Sequence, residues 1–182
     1  MSSLSLSTII RSDHAFSSVG RILNMLVTAP FYSKYVREPP NCTPSYIEKN
    51  FQFFPYFKDC RGAIDCSHFD AYVPDEVVAR YRDRKGRVSQ NVLAVCDFDM
   101  KFTYVLSGWE GSAADSAVFA DARRKGLSLP PGTYFLADAG FPLCKTLLTP
   151  YRSTRYHLKE WGQVQQRFVP TFFLIGQHLL IL

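Results

Sequence analysis

The segment Asn91-Val92-Leu93-Ala94-Val95-Cys96 is apolar after its first residue. A continuous run of this length is expected of a strand buried on both faces, so the chain has to lay further structure over a sheet. Asp97-Phe98-Asp99 reads as a turn, and Phe102 to Leu106 as the returning strand of a hairpin. Gly62 to Val73, partly alternating, reads as a strand ahead of them. Ser112 to Lys125 has helical spacing, with Val118, Phe119 and Ala122 on one face, and Pro130-Pro131-Gly132 breaks it. Thr133 to Ala137 predicts another strand, Leu143 to Leu148 a short helix and Arg155 to Glu160 a last strand. The order β-β-β-α-β-α-β predicts an α/β (α+β) fold, a mixed sheet with flanking helices.

A short helical segment precedes this core. Phe16, Val19, Leu23 and Leu26 recur at helical spacing, widened by Ile22 and Met25, which predicts an amphipathic helix over Phe16 to Val27, ended by Pro30. Pro39-Pro40 marks a linker. Thr43-Pro44 is a helix-start signal, and a helix over Ser45 to Phe53 should follow, stopped by Pro55.

Composition permits one domain, or one domain with an appendage, in 182 residues. Fifteen Phe and ten Tyr suffice for a sizeable core, and 47% apolar residues exclude disorder as the main state. A net charge of +5 and a pI near 9.0 mildly favour polyanionic partners. The five cysteines are odd in number and form no C-x-x-C pair, against both a secreted disulfide framework and a Cys-ligated zinc site. No secretory leader is expected at the serine-rich N-terminus. Phe168 to Leu182 is mostly apolar but is broken by Pro170, Gly176 and His178 and is too short to span a bilayer, so no membrane anchor is expected.

Three aspartates hold suggestive positions. Asp65 lies inside the first strand, Asp138 ends the fourth, and Asp115 opens the core helix. Ligands of α/β sheets usually bind where strands end and loops diverge. Two carboxylates on neighbouring strand ends repel unless a divalent cation sits between them, and Mg²⁺ and Mn²⁺ favour such oxygen ligands. A metal pair roughly 3.5–4 Å apart can activate water and stabilise the leaving oxygen in phosphodiester cleavage. Each aspartate also has a plainer reading. Ser112-x-x-Asp115 fits a capping-box variant, and Asp138 before Ala139-Gly140 fits a turn. Asp65 is harder to dismiss, because an unpaired carboxylate in an apolar strand is expensive.

His68 stands three residues from Asp65, on the opposite face of an extended strand, and reads as a structural histidine. Arg80, Arg82, Arg84, Lys85 and Arg87 form a basic loop diluted by Asp75, Glu76 and Asp83. It reads as a solvated loop or as a grip on phosphates. Arg123-Arg124-Lys125 suits a helix C-terminus. The chain lacks a phosphate-binding P-loop, a dinucleotide turn, a nucleophile elbow and an H-E-x-x-H pair, which removes support for nucleotide-dependent and serine-hydrolase chemistry.

Taken together, the blocks resemble PIF/Harbinger-type transposases and their domesticated nuclease relatives. Gly62-Ala63-Ile64-Asp65-x-x-His68 is similar to the family's Gly-Ala-Ile-Asp-Gly-Thr-His signature. Arg84-Lys85-Gly86-x-x-Ser89-Gln90-Asn91, with Val95-Cys96-Asp97, resembles its next block. Gly108-Trp109-x-Gly111-Ser112-x-x-Asp115-Ser116 resembles its Gly-Ser-x-His-Asp-Ser block. Leu136-x-Asp138-Ala139-Gly140-Phe141 and Leu148-Thr149-Pro150-Tyr151 resemble the block that follows, and Arg155 to Trp161 also looks like family sequence.

The resemblance implies an RNase H-like DDE core that cuts DNA with Mg²⁺ or Mn²⁺. Asp65 and Asp138 match the first two catalytic carboxylates, and Asp115 a further aspartate near the metal. It also implies a nuclear protein, cytoplasmic if import needs a partner, with a Myb-like DNA-binding protein as that partner. The expected organisation is a helical segment at 1–58, left from a helix-turn-helix region, then an incomplete core at 59–161 and an apolar tail at 162–182 unlike the family. The family's third carboxylate, in an Ile-Glu-x-x-Phe-Gly helix motif, has no match, and Glu160 is the last acidic residue. Cys66-Ser67, Ala114 and Phe141 are smaller departures. The expectation is a transposase-derived endonuclease domain, weakened or inactive without that carboxylate. The alternatives are a non-catalytic DNA- or protein-binding module and a non-functional transposon remnant.

Overall fold

The structure is a computed structural model, and it describes residues 17, 18 and 20–151. These fall into two compact units that part between Arg37 and Glu38, so residues 38–58 belong to the unit that carries the sheet. In the first unit, helix α1 runs over 20–27, as its apolar spacing predicts, and α2 over Phe31–Tyr35. Leu23 and Leu26 are exposed.

The second unit begins with α3 (Ser45–Glu48), shorter than the expected Ser45 to Phe53. Pro44 itself is the cap, with no side-chain cap bond from Thr43. The helix stops because Asn50 Oδ1 accepts the Gln52 N–H at 3.0 Å, a local turn that competes with helical bonding. Turns then carry the chain to β1 (Cys60–Asp70). After α4 (Val78–Tyr81) come β2 (Ser89–Cys96), β3 (Phe102–Glu110), α5 (Asp115–Arg124), β4 (Tyr134–Leu136) and β5 (Leu147–Leu148).

The strands form one mixed sheet in the order β3-β2-β1-β4-β5. β1, β2 and β3 pair antiparallel, whereas β4 lies parallel to β1 and β5 parallel to β4. This is the predicted α/β architecture of an RNase H-like core. β3 runs four residues past the expected Leu106 because Gly108, at φ 95°, absorbs a register shift and lets Trp109 and Glu110 pair with Asn91 and Gln90.

Leu143 to Leu148 is not the expected helix. The Phe135 N–H donates to Thr146 O and the Ala137 N–H to Leu148 O, so the open edge of β4 captures this segment as β5. Leu147 is buried there. The strand expected at Arg155 to Glu160 lies outside the described residues.

The core joins Ile64, Leu93, Val95 and Leu106 of the sheet to Val118, Phe119 and Ala122 of α5, with Phe135, Phe141 and Leu147. Phe119 and Phe141 meet edge to face at 6.1 Å. Burial of β2 alternates from Ser89 to Val95, with Leu93 and Val95 buried and Val92 and Ala94 only half-buried, and Cys96 at its end is buried as well. Among the described residues the run is therefore fully covered on one face, and on the other only at Cys96.

Candidate metal and nucleic-acid site

Two of the three aspartates are brought together by strand register. Ala63 of β1 pairs with Leu136 of β4 in parallel. Asp65 and Asp138 each follow two residues later, so both stand at the same level, Asp65 still within β1 and Asp138 just past the end of β4. Asp65 is half-buried and Asp138 exposed, which opens the site to solvent on the Asp138 side.

Asp115 arrives from α5. It is the first residue of that helix, behind an extended Ala114 cap that makes no side-chain bond. Ser112 instead uses its N–H on Arg80 O, so the capping-box reading of Ser112 and Asp115 fails. Asp115 Oδ1 accepts a hydrogen bond from Asn91 Nδ2 at 3.3 Å, and the same amide donates to Ala113 O. The Cys66 thiol also donates to Asp115, and burial with that carboxylate beside it drives the thiol well above its usual range.

Asp115 and Asp138 converge over Gly140. A Cβ placed on Gly140 would stand 2.7 Å from Asp115 Oδ2 and 3.1 Å from Asp138 Oδ1. The Gly140 N–H also donates to Asp138 Oδ1 at 2.9 Å. Burial, opposed by the Cys66 N–H at 2.8 Å, raises Asp65 to about 6, and the charges of Asp138 and Asp115 add to the rise. No Lys or Arg forms an ion pair with any of the three, among the described residues.

Three mutually repelling carboxylates without a cation are a donor set of the kind a hard divalent ion takes. Among the described residues no group of three His, Cys, Asp or Glu side chains is arranged to cage a metal. Mg²⁺ does not need a cage: it keeps several waters and binds through one or two carboxylates plus substrate phosphate. The residues fit a hydrated ion of that type.

His68 takes no part in the cluster. Its Nδ1 lies 3.1 Å from Ser89 Oγ, the structural pairing expected of it.

The basic loop is less free than its composition suggests. Asp83, expected only to dilute its charge, is buried and organises it. Asp83 Oδ1 accepts the N–H groups of Lys85 and Arg87, and Oδ2 accepts Arg87 Nε at 3.0 Å. Burial pushes the Asp83 carboxyl up, but the Arg87 N–H and guanidinium and the Lys85 N–H outweigh it and hold it below its usual value. Arg80 pairs with Glu110, and Arg82 Nη1 donates to Gly86 O. Arg84 and Lys85, at the loop tip, are exposed and form no ion pair among the described residues. Asn91 was legible as the start of an apolar strand and as the end of a family-like block, but not as a partner of Asp115. A polar residue opening such a run was the available signal for its place beside Asp115.

A family model described as "DDE superfamily endonuclease" matches residues 64–168. The chain belongs to that family, a class of transposase-derived nucleases. It is 32% identical over 124 residues to "Protein ALP1-like" of Arabidopsis thaliana, covering 58% of this chain and 30% of that one. It is 33% identical over 108 residues to "Putative nuclease HARBI1" of Rattus norvegicus, covering 53% and 31%. For the Homo sapiens protein of that name the identity is 32% over 122 residues, covering 65% and 35%. The chain thus spans about a third of the length of these curated relatives. The family match continues past Trp161 into the apolar segment. No solved structure matches the chain. No helix among the described residues is long and apolar enough to cross a membrane.

Proposed function

We propose that the chain is a divalent-metal-dependent DNA endonuclease domain of Harbinger-transposase descent. The observation that carries this is the parallel register that sets Asp65 beside Asp138, with Asp115 turned toward the same place by α5. Asp65 and Asp138 would hold Mg²⁺ or Mn²⁺, and Asp115 would assist. The bound ion would lower the pKa of a water and offset charge on the scissile phosphate. Asp115 keeps its orientation through Asn91 and Cys66, and the tip of the basic loop, Arg84 and Lys85, adds sequence-independent attraction for the DNA backbone. Arg80, Arg82 and Arg87 contribute charge from positions already engaged within the protein.

The chain by itself should cut slowly, because residues 161–182 contain no Asp or Glu to supply a third carboxylate. A supporting group out of place costs about 10²-fold in rate. That same absence favours a second reading, a nuclear module that binds DNA or a Myb-like partner without cutting. Mn²⁺ titration and a plasmid-nicking assay on the chain beside Asp65→Asn separate the two. Metal-dependent nicking lost in Asp65→Asn supports the endonuclease, whereas DNA binding without nicking, unchanged in the variant, supports the module. A chain that neither folds cooperatively nor binds DNA would be a transposon remnant.

A further inference from the structure

Tyr72 is the most exposed large hydrophobic side chain among the described residues, with relative exposure of 105%, and Phe69, near the end of β1, is 54% exposed. Neither lies at a chain end or in the site described above. Leaving aromatic surface in water loses the burial that would have stabilised the fold.

Tyr72 adjoins a basic segment. The Ala71 N–H donates to Val88 O at 3.0 Å, and Val88 bridges to Arg82. Tyr72 therefore follows directly on the residue tied to Val88, which closes the base of the basic loop. The loop is held closed by the Asp83 N–H to Arg87 O bond, and Asp83 locks it from within. Its tip, Arg84-Lys85-Gly86, is thereby presented as a preformed element with two uncommitted cations. Exposed rings beside a cationic track are the composition of single-strand nucleic-acid sites, where bases stack on aromatics and cations follow the backbone.

We infer that Tyr72, adjoining the base of the basic loop whose tip carries Arg84 and Lys85, is a stacking site for an unpaired DNA base. This rests on the reading of the chain as a protein that acts on DNA. It adds that the substrate is held as a locally unpaired strand, not only as duplex.

The test is fluorescence-anisotropy binding of the full chain to a 20-nucleotide single strand and to the matching duplex, in EDTA so that no metal-dependent step enters. Tyr72→Ala should weaken single-strand binding about 5- to 100-fold, the range measured for loss of one stacked base, and leave duplex binding unchanged. Tyr72→Phe should bind like the parent. Arg84→Gln with Lys85→Gln should weaken both ligands and flatten the salt dependence. As a direct readout, Tyr72→Trp should gain emission that the single strand quenches and the duplex does not. An unchanged single-strand affinity in Tyr72→Ala, or an equal loss on both ligands, overturns the stacking site while leaving the endonuclease reading intact. A parent chain that binds neither DNA overturns both.

Discussion

Asp65 and Asp138 stand two residues beyond the paired positions Ala63 and Leu136 of adjacent parallel strands, although 73 positions separate them in the chain. β1 thus carries Asp65 in mid-strand to the point where the much shorter β4 has already released its chain. One carboxylate is held half-buried by regular structure, and the other is free to meet solvent and ligand.

Metal binding should depend on both. Calorimetric titration of Mn²⁺ into Asp65→Asn or Asp138→Asn should show affinity lowered about 10-fold or more, given that even supporting groups cost 10–100-fold. Equal affinity in all three proteins would mean that the ion, if bound, sits elsewhere.

The metal-free protein should be least comfortable with Asp65 ionised. Its folded value of about 6 lies above the ordinary 3.8, so the folded state binds more protons than the unfolded state between those values. Stability therefore falls as pH rises through that window and stays reduced above it. In EDTA at pH 7.5, Asp65→Asn should be more stable than the parent by on the order of 2 kcal/mol, from the size of such a shift. The advantage should shrink towards pH 4. Chemical denaturation at both pH values measures it, and a parent chain that is more stable at pH 7.5 than Asp65→Asn contradicts a carboxylate held up first by burial and then by the charges of Asp138 and Asp115.

Gly140→Ala should separate site from fold. Its Cβ would press on Asp115 Oδ2 and Asp138 Oδ1 and push the two carboxylates apart. Gly140 is exposed and needs no left-handed backbone, so thermal stability should change by less than about 1 kcal/mol. Mn²⁺ affinity should drop several-fold, and an unaltered titration would show that these carboxylates do not act together.

Asp121 anchors α5 to β3. It accepts Trp109 Nε1 at 2.9 Å and pairs with Lys125 and Arg124. The Lys125 bond, against burial, and then the Trp109 and Arg124 bonds hold it below its ordinary value. A depressed carboxylate stabilises the fold above its unfolded value of 3.8, and that contribution disappears as pH falls through the lower folded value. Asp121→Asn should lower the melting midpoint at pH 7, lessen the loss of stability on acidification and shift Trp109 emission. A midpoint equal to the parent's at pH 7 would show that the network adds nothing.

Much of this was legible along the chain. The apolar run at Asn91 to Cys96, its turn and the returning strand require local pairing, because a short segment without a polar face has to be covered. Amphipathic spacing likewise placed Val118, Phe119 and Ala122 of α5 against the sheet. The presence of β1 and β4 and the places of Asp65 and Asp138 followed from the same patterns, although β1 spans Cys60–Asp70 and not the expected Gly62 to Val73.

Tertiary structure decided what distant segments do to one another. Leu143 to Leu148 has helical spacing, but the hydrogen-bonding edge of β4 outweighs a local preference worth a few tenths of a kcal/mol per residue. Asp115 could have been a cap by spacing alone; only the path of the chain before α5 engages Ser112 with Arg80 and leaves the carboxylate to Asn91, Cys66 and Gly140. Five basic residues look equivalent in a row, yet ion pairing and loop geometry commit three and leave Arg84 and Lys85. Periodicity reports which side of an element is buried. It carries no information on which remote atoms will fill a donor or acceptor, and in this protein that pairing forms the site.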